Sequence, residues 1–444
     1  MKKCILLLAA LAMAAVVLPR VAFAQRVLSL NECLDIGIER STMVGSFRQN
    51  LQSSRQDVLR NYGGFLPDLT FSMYAGRNFV GPSQSVFVDV QGRAIDQTGF
   101  DHEQYSFSLN SNMTLFDWGS SVHALNTSKR IAQASEHDLQ YQKDIVIALV
   151  IREYYNFVRR KNLRVVQEKA VTAAQRNLDQ VEAFFRIGSN TRADVLQARV
   201  RLGNTQLELI TATNRQELAK ATLATRLNWP LGEDFDVAAS LDNAPISPNF
   251  EEEVEYMLGH RSDLMASRRR VQAAGYNVES VENARFPTIA AAIRYSWNNR
   301  AFPENANFFR NNYSWSVGVF LNYNLFDRFG TKSSIINAQT QRRISEYNLQ
   351  QAKLDAILEV KRLFLLLKEG QERTRVSEGQ VTQAEENVRL ANERYRVGAG
   401  TILETIEAAS QLQAAQGSLI EAKIDYLVAK ADLLRATGRK VAVE

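Results

Sequence analysis

Tyr105-Ser106-Phe107-Ser108-Leu109-Asn110-Ser111-Asn112-Met113-Thr114-Leu115-Phe116-Asp117-Trp118-Gly119 is the stretch on which the fold turns. Up to Leu115, large apolar residues hold one parity and Ser, Asn and Thr hold the other, which is the period of a strand. Past Gly119 the pattern changes. No glycine follows until Gly188 and no proline until Pro230. The intervening tract is rich in Ala, Leu, Gln, Glu, Lys and Arg and predicts one very long helix over 120–186. At about 1.5 Å per residue such a helix is on the order of 100 Å long. No single globular core needs that length; an elongated assembly does.

Three further segments alternate in the same way. Ile289, Ala291, Ile293, Tyr295 and Trp297 oppose Ala290, Ala292, Arg294, Ser296 and Asn298. Tyr313, Trp315, Val317, Val319, Leu321 and Tyr323 oppose a set containing Ser314, Ser316, Gly318 and Asn322. Leu69, Phe71, Met73 and Ala75 form a shorter version. Roughly ten residues of alternation with aromatics near the ends suits a membrane β-barrel strand. A half-buried sheet in a soluble protein has the same period. In a membrane, four strands cannot close a barrel and an open edge is not tolerated, so several chains would have to share one barrel.

The chain reads as a duplication. Leu115-Phe116-Asp117-Trp118-Gly119 recurs as Leu325-Phe326-Asp327-Arg328-Phe329-Gly330, and Phe185-Arg186-Ile187-Gly188 recurs as Tyr395-Arg396-Val397-Gly398. Both landmarks share one offset, and a common period is the mark of an internal repeat. Alanines at 408, 415, 422, 429 and 436 follow a heptad and map onto Ala198, Thr205, Ala212, Ala219 and Arg226. Small residues at that spacing let helices approach closely, and a seven-residue period winds them left-handed. The first copy has the longer hairpin, around 78–104. The expected organisation is residues 25–229 as a first repeat (helix, strand, strand, long helix, helix), 230–249 as a linker and 250–438 as a second repeat.

Ahead of them, Lys2 and Lys3 precede an apolar run from Cys4 to Leu18 and then Ala22-Phe23-Ala24. That is the order of a secretory signal over residues 1–24, cleaved before Gln25. No cysteine follows the cut, so lipid attachment is not expected. Losing Lys2, Lys3 and Arg20 lowers the net charge from +5 to +2, which leaves no electrostatic case for nucleic acid. Of the two cysteines only Cys33 remains, which excludes an internal disulfide and a cysteine zinc cluster. The four histidines show no metal-ligand spacing. Gly330-Thr331-Lys332-Ser333 is not a phosphate-binding loop, because its glycine and lysine are not adjacent. No catalytic constellation can be assembled, and neither an enzyme activity, a cofactor nor a metal is expected.

With these residues in view, the chain resembles the TolC-type outer-membrane efflux proteins over nearly its whole mature length. The most specific parts are the Leu-Phe-Asp junctions and the run from Tyr395 through Gly398, Ala399, Gly400 and Thr401 to Glu404. The opening Leu28-Ser29-Leu30-Asn31-Glu32-Cys33-Leu34 is similar too, with Cys33 as a small packing residue. In His260-Arg261-Ser262-Asp263-Leu264 a serine stands where the family has proline, which loosens one helix start. The resemblance implies a mainly helical protein: a homotrimer with a twelve-stranded membrane β-barrel, four strands per chain, continued by a periplasmic α-helical barrel. It also implies location in the outer membrane of a Gram-negative bacterium, in contact with its lipid. The implied work is that of exit duct of a tripartite efflux pump, with a periplasmic adaptor and an inner-membrane pump as partners. A type I protein secretion duct uses the same architecture, and a periplasmic coiled-coil scaffold is a more distant reading. The transported substrate is not legible.

Glycines at 188 and 398 predict left-handed helix ends joining the longest helices, with Asp194 and Thr401 near the next helix starts. The resemblance makes Ile187, Gly188, Val397, Gly398 and Thr401 the adaptor-docking tip turns. It pairs Asp194 with Tyr395 as a gate, whose supporting basic residue is Gly400 here. It also makes Glu404 and Glu407 an acidic constriction. Asp194 reads equally well as a plain helix cap, and the two glutamates as solvated surface residues.

Overall fold

The computed structural model describes residues 26–81, 83–88, 90, 94–97, 100–230, 234–238, 245–302 and 310–439. The expected secretory signal, parts of the expected linker and part of the 78–104 stretch lie outside them. The first half of the chain runs β1 (Arg26–Leu28), α1 (Leu30–Arg40), α2 (Thr42–Gly63), β2 (Thr70–Val80), β3 (Ser83–Val88), β4 (Ala94–Gln97), β5 (Phe100–Phe116), α3 (Ser120–Arg186) and α4 (Arg192–Arg226). The second half runs β6 (Phe235–Val237), α5 (Phe250–His260), α6 (Ser262–Asn283), β7 (Thr288–Asn299), β8 (Tyr313–Asn322), α7 (Gly330–Arg396) and α8 (Ile402–Thr437). Helices α3 and α7 each hold 67 residues. Two compact units result.

The strand unit comprises Ser46–Tyr141 and Ser262–Asp355. Its four-stranded sheet has the order β2-β5-β7-β8, antiparallel throughout. The register sorts side chains into rows. Met73, Phe107, Trp297 and Tyr313 stand opposite one another across all four strands, as do Phe71, Leu109, Tyr295 and Trp315. Ser72, Ser108, Ser296 and Ser314 form a row of the other parity, next to Thr70, Asn110, Arg294 and Ser316. One face is therefore apolar and aromatic and the other polar, because successive strand residues point to opposite sides. On the apolar face Phe71, Met73, Trp315, Val317, Val319 and Leu321 are exposed. Among the described residues no helix is long and apolar enough to cross a membrane.

The Leu-Phe-Asp junctions turn strand into helix by one device used twice. Asp117 accepts from the Ser121 amide at 2.8 Å, and Asp327 accepts from the Thr331 amide at 2.5 Å. Each carboxylate thus satisfies amides that the first helical turn leaves unpaired. The backbone reverses through positive φ at Trp118 and Gly119, and again at Arg328 and Phe329.

The helical unit comprises Met1–Gly45, Gln142–Arg261 and Ala356–Glu444. A three-residue parallel pair, β1 with β6, ties the stretch before α1 to the stretch after α4, with Leu28 opposite Val237. Helix α1 begins in a capping box: Ser29 accepts from the Glu32 amide, and Glu32 accepts from the Ser29 amide at 2.8 Å. Small residues set the helix spacing. A Cβ on Gly37 would meet Val150 at 2.7 Å, and one on Gly370 would meet the Tyr426 backbone at 3.1 Å. Ala408, Ala422, Ala429 and Ala436 of the heptad are buried. Cys33 is fully buried, and desolvation pushes its thiol up to about 12, which makes it an inert packing group. Arg159 pairs with Asp425 at 2.6 Å and Arg152 with Asp432 at 3.3 Å, holding α8 against α3.

Where the α5 helix ends, Arg261 is extended, with φ −68° and ψ 124°, and α6 starts at once with Ser262. The missing proline has not cost the break. Arg261 points inward instead and pairs with Glu359 at 2.6 Å, and Glu359 also takes Arg435. Arg261 donates further to the Ala436 carbonyl at 3.3 Å.

Candidate functional site

Helix α3 ends through Phe184, Phe185 and Arg186 with Ile187 just beyond it, and α7 ends through Arg394, Tyr395 and Arg396 with Val397 just beyond it. Gly188 and Gly398 follow at φ +80° and +75°. In both turns the glycine amide bonds three residues back, to Phe185 and Tyr395, and the next amide bonds five residues back, to Phe184 and Arg394. This is the Schellman arrangement, which needs a left-handed residue that glycine supplies without strain. An added Cβ at either glycine meets nothing within 4 Å, so the requirement is one of backbone alone. Ile187 and Val397 stand out from the turns, 76% and 72% exposed.

Thr191 and Thr401 open the returning helices as N-caps. At Thr191 the capping box is complete: Asp194 accepts from the Thr191 amide and hydroxyl, both at 2.8 Å, while its own amide donates to Thr191 Oγ1 at 3.2 Å. Glu404 sits in the corresponding place after Thr401. Its amide donates to Thr401 Oγ1 at 3.3 Å, but its carboxylate turns to Arg394, 3.4 Å away. Gly400 lies beside this pair: a Cβ there would approach Arg394 Cβ at 3.1 Å and Glu404 Oε2 at 3.2 Å, so a larger residue would crowd it.

Tyr395 is buried beneath the turns in a cluster with Leu178, Val181, Val195, Ala198 and Ile402, and its ring lies 5.9 Å from that of Phe184. Its hydroxyl accepts from Asn190 Nδ2 at 2.6 Å. Asp194 and Tyr395 are thus both at the tip, but within this chain each is engaged by another residue, Thr191 and Asn190. The Asn190 partner was not foreseen. The available signal was its place one residue before the Thr191 cap, the place Gly400 holds before Thr401. Glu407 lies one turn beyond Glu404 and is exposed. Among the described residues no group of three or more metal-ligating side chains gathers anywhere.

Comparison with known proteins bears on the whole chain. A family model described as outer membrane efflux protein matches residues 36–228 and 254–439. The outer membrane efflux protein BepC of Brucella suis is 23% identical over 338 residues, 74% of this chain and 71% of that protein. The alkaline protease secretion protein AprF of Pseudomonas aeruginosa is 23% identical over 419 residues, 91% of this chain and 83% of that one. Among solved structures, the CmeC outer membrane channel of Campylobacter jejuni superposes with a TM-score of 0.78 at 16% identity, covering 92% of this chain and 85% of that chain.

Proposed function

Since the chain belongs to the outer membrane efflux protein family and is thereby an outer-membrane export channel, we propose that it serves as a homotrimeric duct working with a periplasmic adaptor and an inner-membrane pump. The sheet carries this reading. Among the described residues β2 and β8 pair on one side only, and the apolar face between them is exposed. Unpaired strand edges cannot rest in hydrocarbon, so further copies must close the ring, and three chains of four strands give twelve. Mass measurement of the purified, detergent-corrected particle tests this, with a trimer expected. A conducting monomer or dimer overturns it. Residues 25–229 and 250–438 are then the two repeats of each protomer, joined by the 230–249 linker.

Two relatives frame the choice of cargo: one is named for efflux and one for protease secretion. A neighbouring gene for a proton-driven pump would favour small-molecule cargo, and one for an ATP-driven exporter would favour protein.

At the tip, Tyr395 is the natural latch of a closed state, held by Asn190, while Asp194 keeps the first turn of α4 wound. Tyr395→Phe removes only the hydroxyl and is expected to raise single-channel conductance in planar bilayers. Unchanged conductance would rule out the latch.

Glu404 and Glu407 supply the acidic constriction, two stacked rings of three carboxylates in a trimer, and such rings favour cations. The charge is unevenly shared, because Arg394 offsets Glu404 while Glu407 is exposed. Glu407→Gln should therefore lower cation preference more than Glu404→Gln, and the double variant should abolish it together with block by multivalent cations. Reversal potentials in asymmetric salt decide this. Unaltered selectivity in the double variant means that both side chains face away from the pore.

A further inference from the structure

In the helical unit, α3, α4, α7 and α8 border an open cavity of about 450 Å³ beneath the tip cluster. Ala170, Ala174, Ala198 and Ala409 make the space: larger residues at these points would interlock the four helices. Ile406 and Leu412 add an apolar wall. Against this wall stand three cationic side chains, Lys169, Arg176 and Arg201, and no acidic residue lines the space.

The nearby acids are occupied elsewhere. Glu168 is taken by Arg164, Asp179 accepts from Gln175, and Glu208 accepts from Gln413 Nε2 at 2.8 Å. Gln413 in turn accepts from Arg201 Nη2 at 3.1 Å and donates to Gln167 at 3.0 Å, which fixes the guanidinium at the cavity edge. Among the described residues Lys169 and Arg176 form no ion pair. The cavity also has one unmet polar atom. Asn177 donates through Nδ2 to Thr405 Oγ1 at 3.1 Å, and Thr405 passes its own hydrogen to the Ile402 carbonyl at 2.8 Å. Asn177 Oδ1 is buried and accepts from no protein group. A buried acceptor without a donor is unusual and costly, and a donor on a bound molecule would relieve it.

We propose that this cavity binds a small organic anion whose acid group meets Lys169, Arg176 and Arg201, whose apolar body lies on the alanine and Ile406 wall, and whose N–H or O–H donates to Asn177. Such a site adds a station in the duct wall where an acidic compound is held rather than merely passed. It stands on the cavity chemistry and does not depend on which pump the channel serves.

8-Anilinonaphthalene-1-sulfonate is a suitable probe, since it carries a sulfonate, apolar rings and an N–H. N-phenyl-1-naphthylamine has the same rings and N–H without the charge. The whole protein is reconstituted in nanodiscs of zwitterionic lipid, and fluorescence titrations are read above the signal of empty nanodiscs. The sulfonate should bind saturably, one per chain, and at least tenfold more tightly than the uncharged analogue. Lys169→Gln with Arg176→Gln should weaken the sulfonate at least tenfold while leaving the analogue unchanged. Ala409→Phe, which fills the cavity, should remove binding of both. Arg186→Gln with Arg192→Gln costs the same charge outside the cavity and should change nothing. The proposal is overturned by absent saturable binding, by equal loss in the two charge pairs, or by undiminished binding in Ala409→Phe. The two glutamine pairs are on exposed residues, so they decide the matter even if the filled cavity fails to fold.

Discussion

With isoleucine in place of Gly398, the protein is expected to reach the outer membrane and assemble normally while export falls to the background of cells lacking the channel. The left-handed region costs an L-residue about 1–2 kcal/mol, and a β-branched side chain suffers most there. Gly398 sits at φ +75° with both Schellman bonds made, and open space surrounds it. Isoleucine is therefore disfavoured by backbone strain rather than by collision. Relief of that strain is expected to distort the turn and displace Val397 with it. Asparagine tolerates the left-handed region far better, so Gly398→Asn should retain most export. That ordering separates a backbone requirement from a mere need for a small residue. Accumulation of a fluorescent pump substrate in cells provides the measurement. Normal export in the isoleucine variant would remove the turn from the docking surface.

Glu359→Leu should destabilise the helical unit by about 3–5 kcal/mol, because it strands two guanidinium groups that are nearly out of water. The side chains of Arg261 and Arg435 are only 7% and 13% exposed, and Glu359 is 24% exposed. Burial alone would raise the Glu359 carboxyl, yet the two guanidinium groups beside it overcome that and hold it below its ordinary value. The group thus releases its proton more readily in the folded protein than in the unfolded chain. Its stabilising contribution is present above the unfolded carboxylate value near 4.5 and is lost as pH falls through the lower folded value. Thermal unfolding followed by circular dichroism between pH 3 and 7 should show this loss in the native protein. In Glu359→Gln that part of the pH dependence should be absent. Equal slopes in the two proteins would show that other carboxylates govern the acid response.

Long-range periodicity was the most legible property of the chain. The glycine-free tract anticipated α3 at Ser120–Arg186, and the alternation around Phe107, Tyr295 and Val317 anticipated the apolar face of the sheet. A pattern repeated over ten or more residues outweighs local noise. The β1–β6 pair was not foreseen, because three residues such as Phe235-Asp236-Val237 are too few to reveal a period, and their pairing joins distant stretches of chain. The break at Arg261 was readable only in outline. What secures it is Glu359, almost a hundred positions along the chain, and nothing in either local stretch announces the other.

At the tip, residue types were readable and partners were not. Asp194 and Tyr395 were singled out together, but the capping threonine lies closer to Asp194 in sequence and wins its carboxylate. Asn190 then takes the tyrosine hydroxyl. At Gly400 the expected basic group is absent, and beside it Arg394 reaches Glu404.

The paired turns at Gly188 and Gly398 bear on stoichiometry. They share the same backbone bonds, nearly the same φ, and one exposed branched aliphatic residue each. A trimer would thus display six knobs that are almost interchangeable around its rim, although only three chains build it. A ligand protein that grips the backbone and the aliphatic knob would count six places. One that also senses Asn190 against Gly400 would count three, alternating around the rim. The number of partner molecules bound per channel therefore reports which atoms of the turn are being recognised.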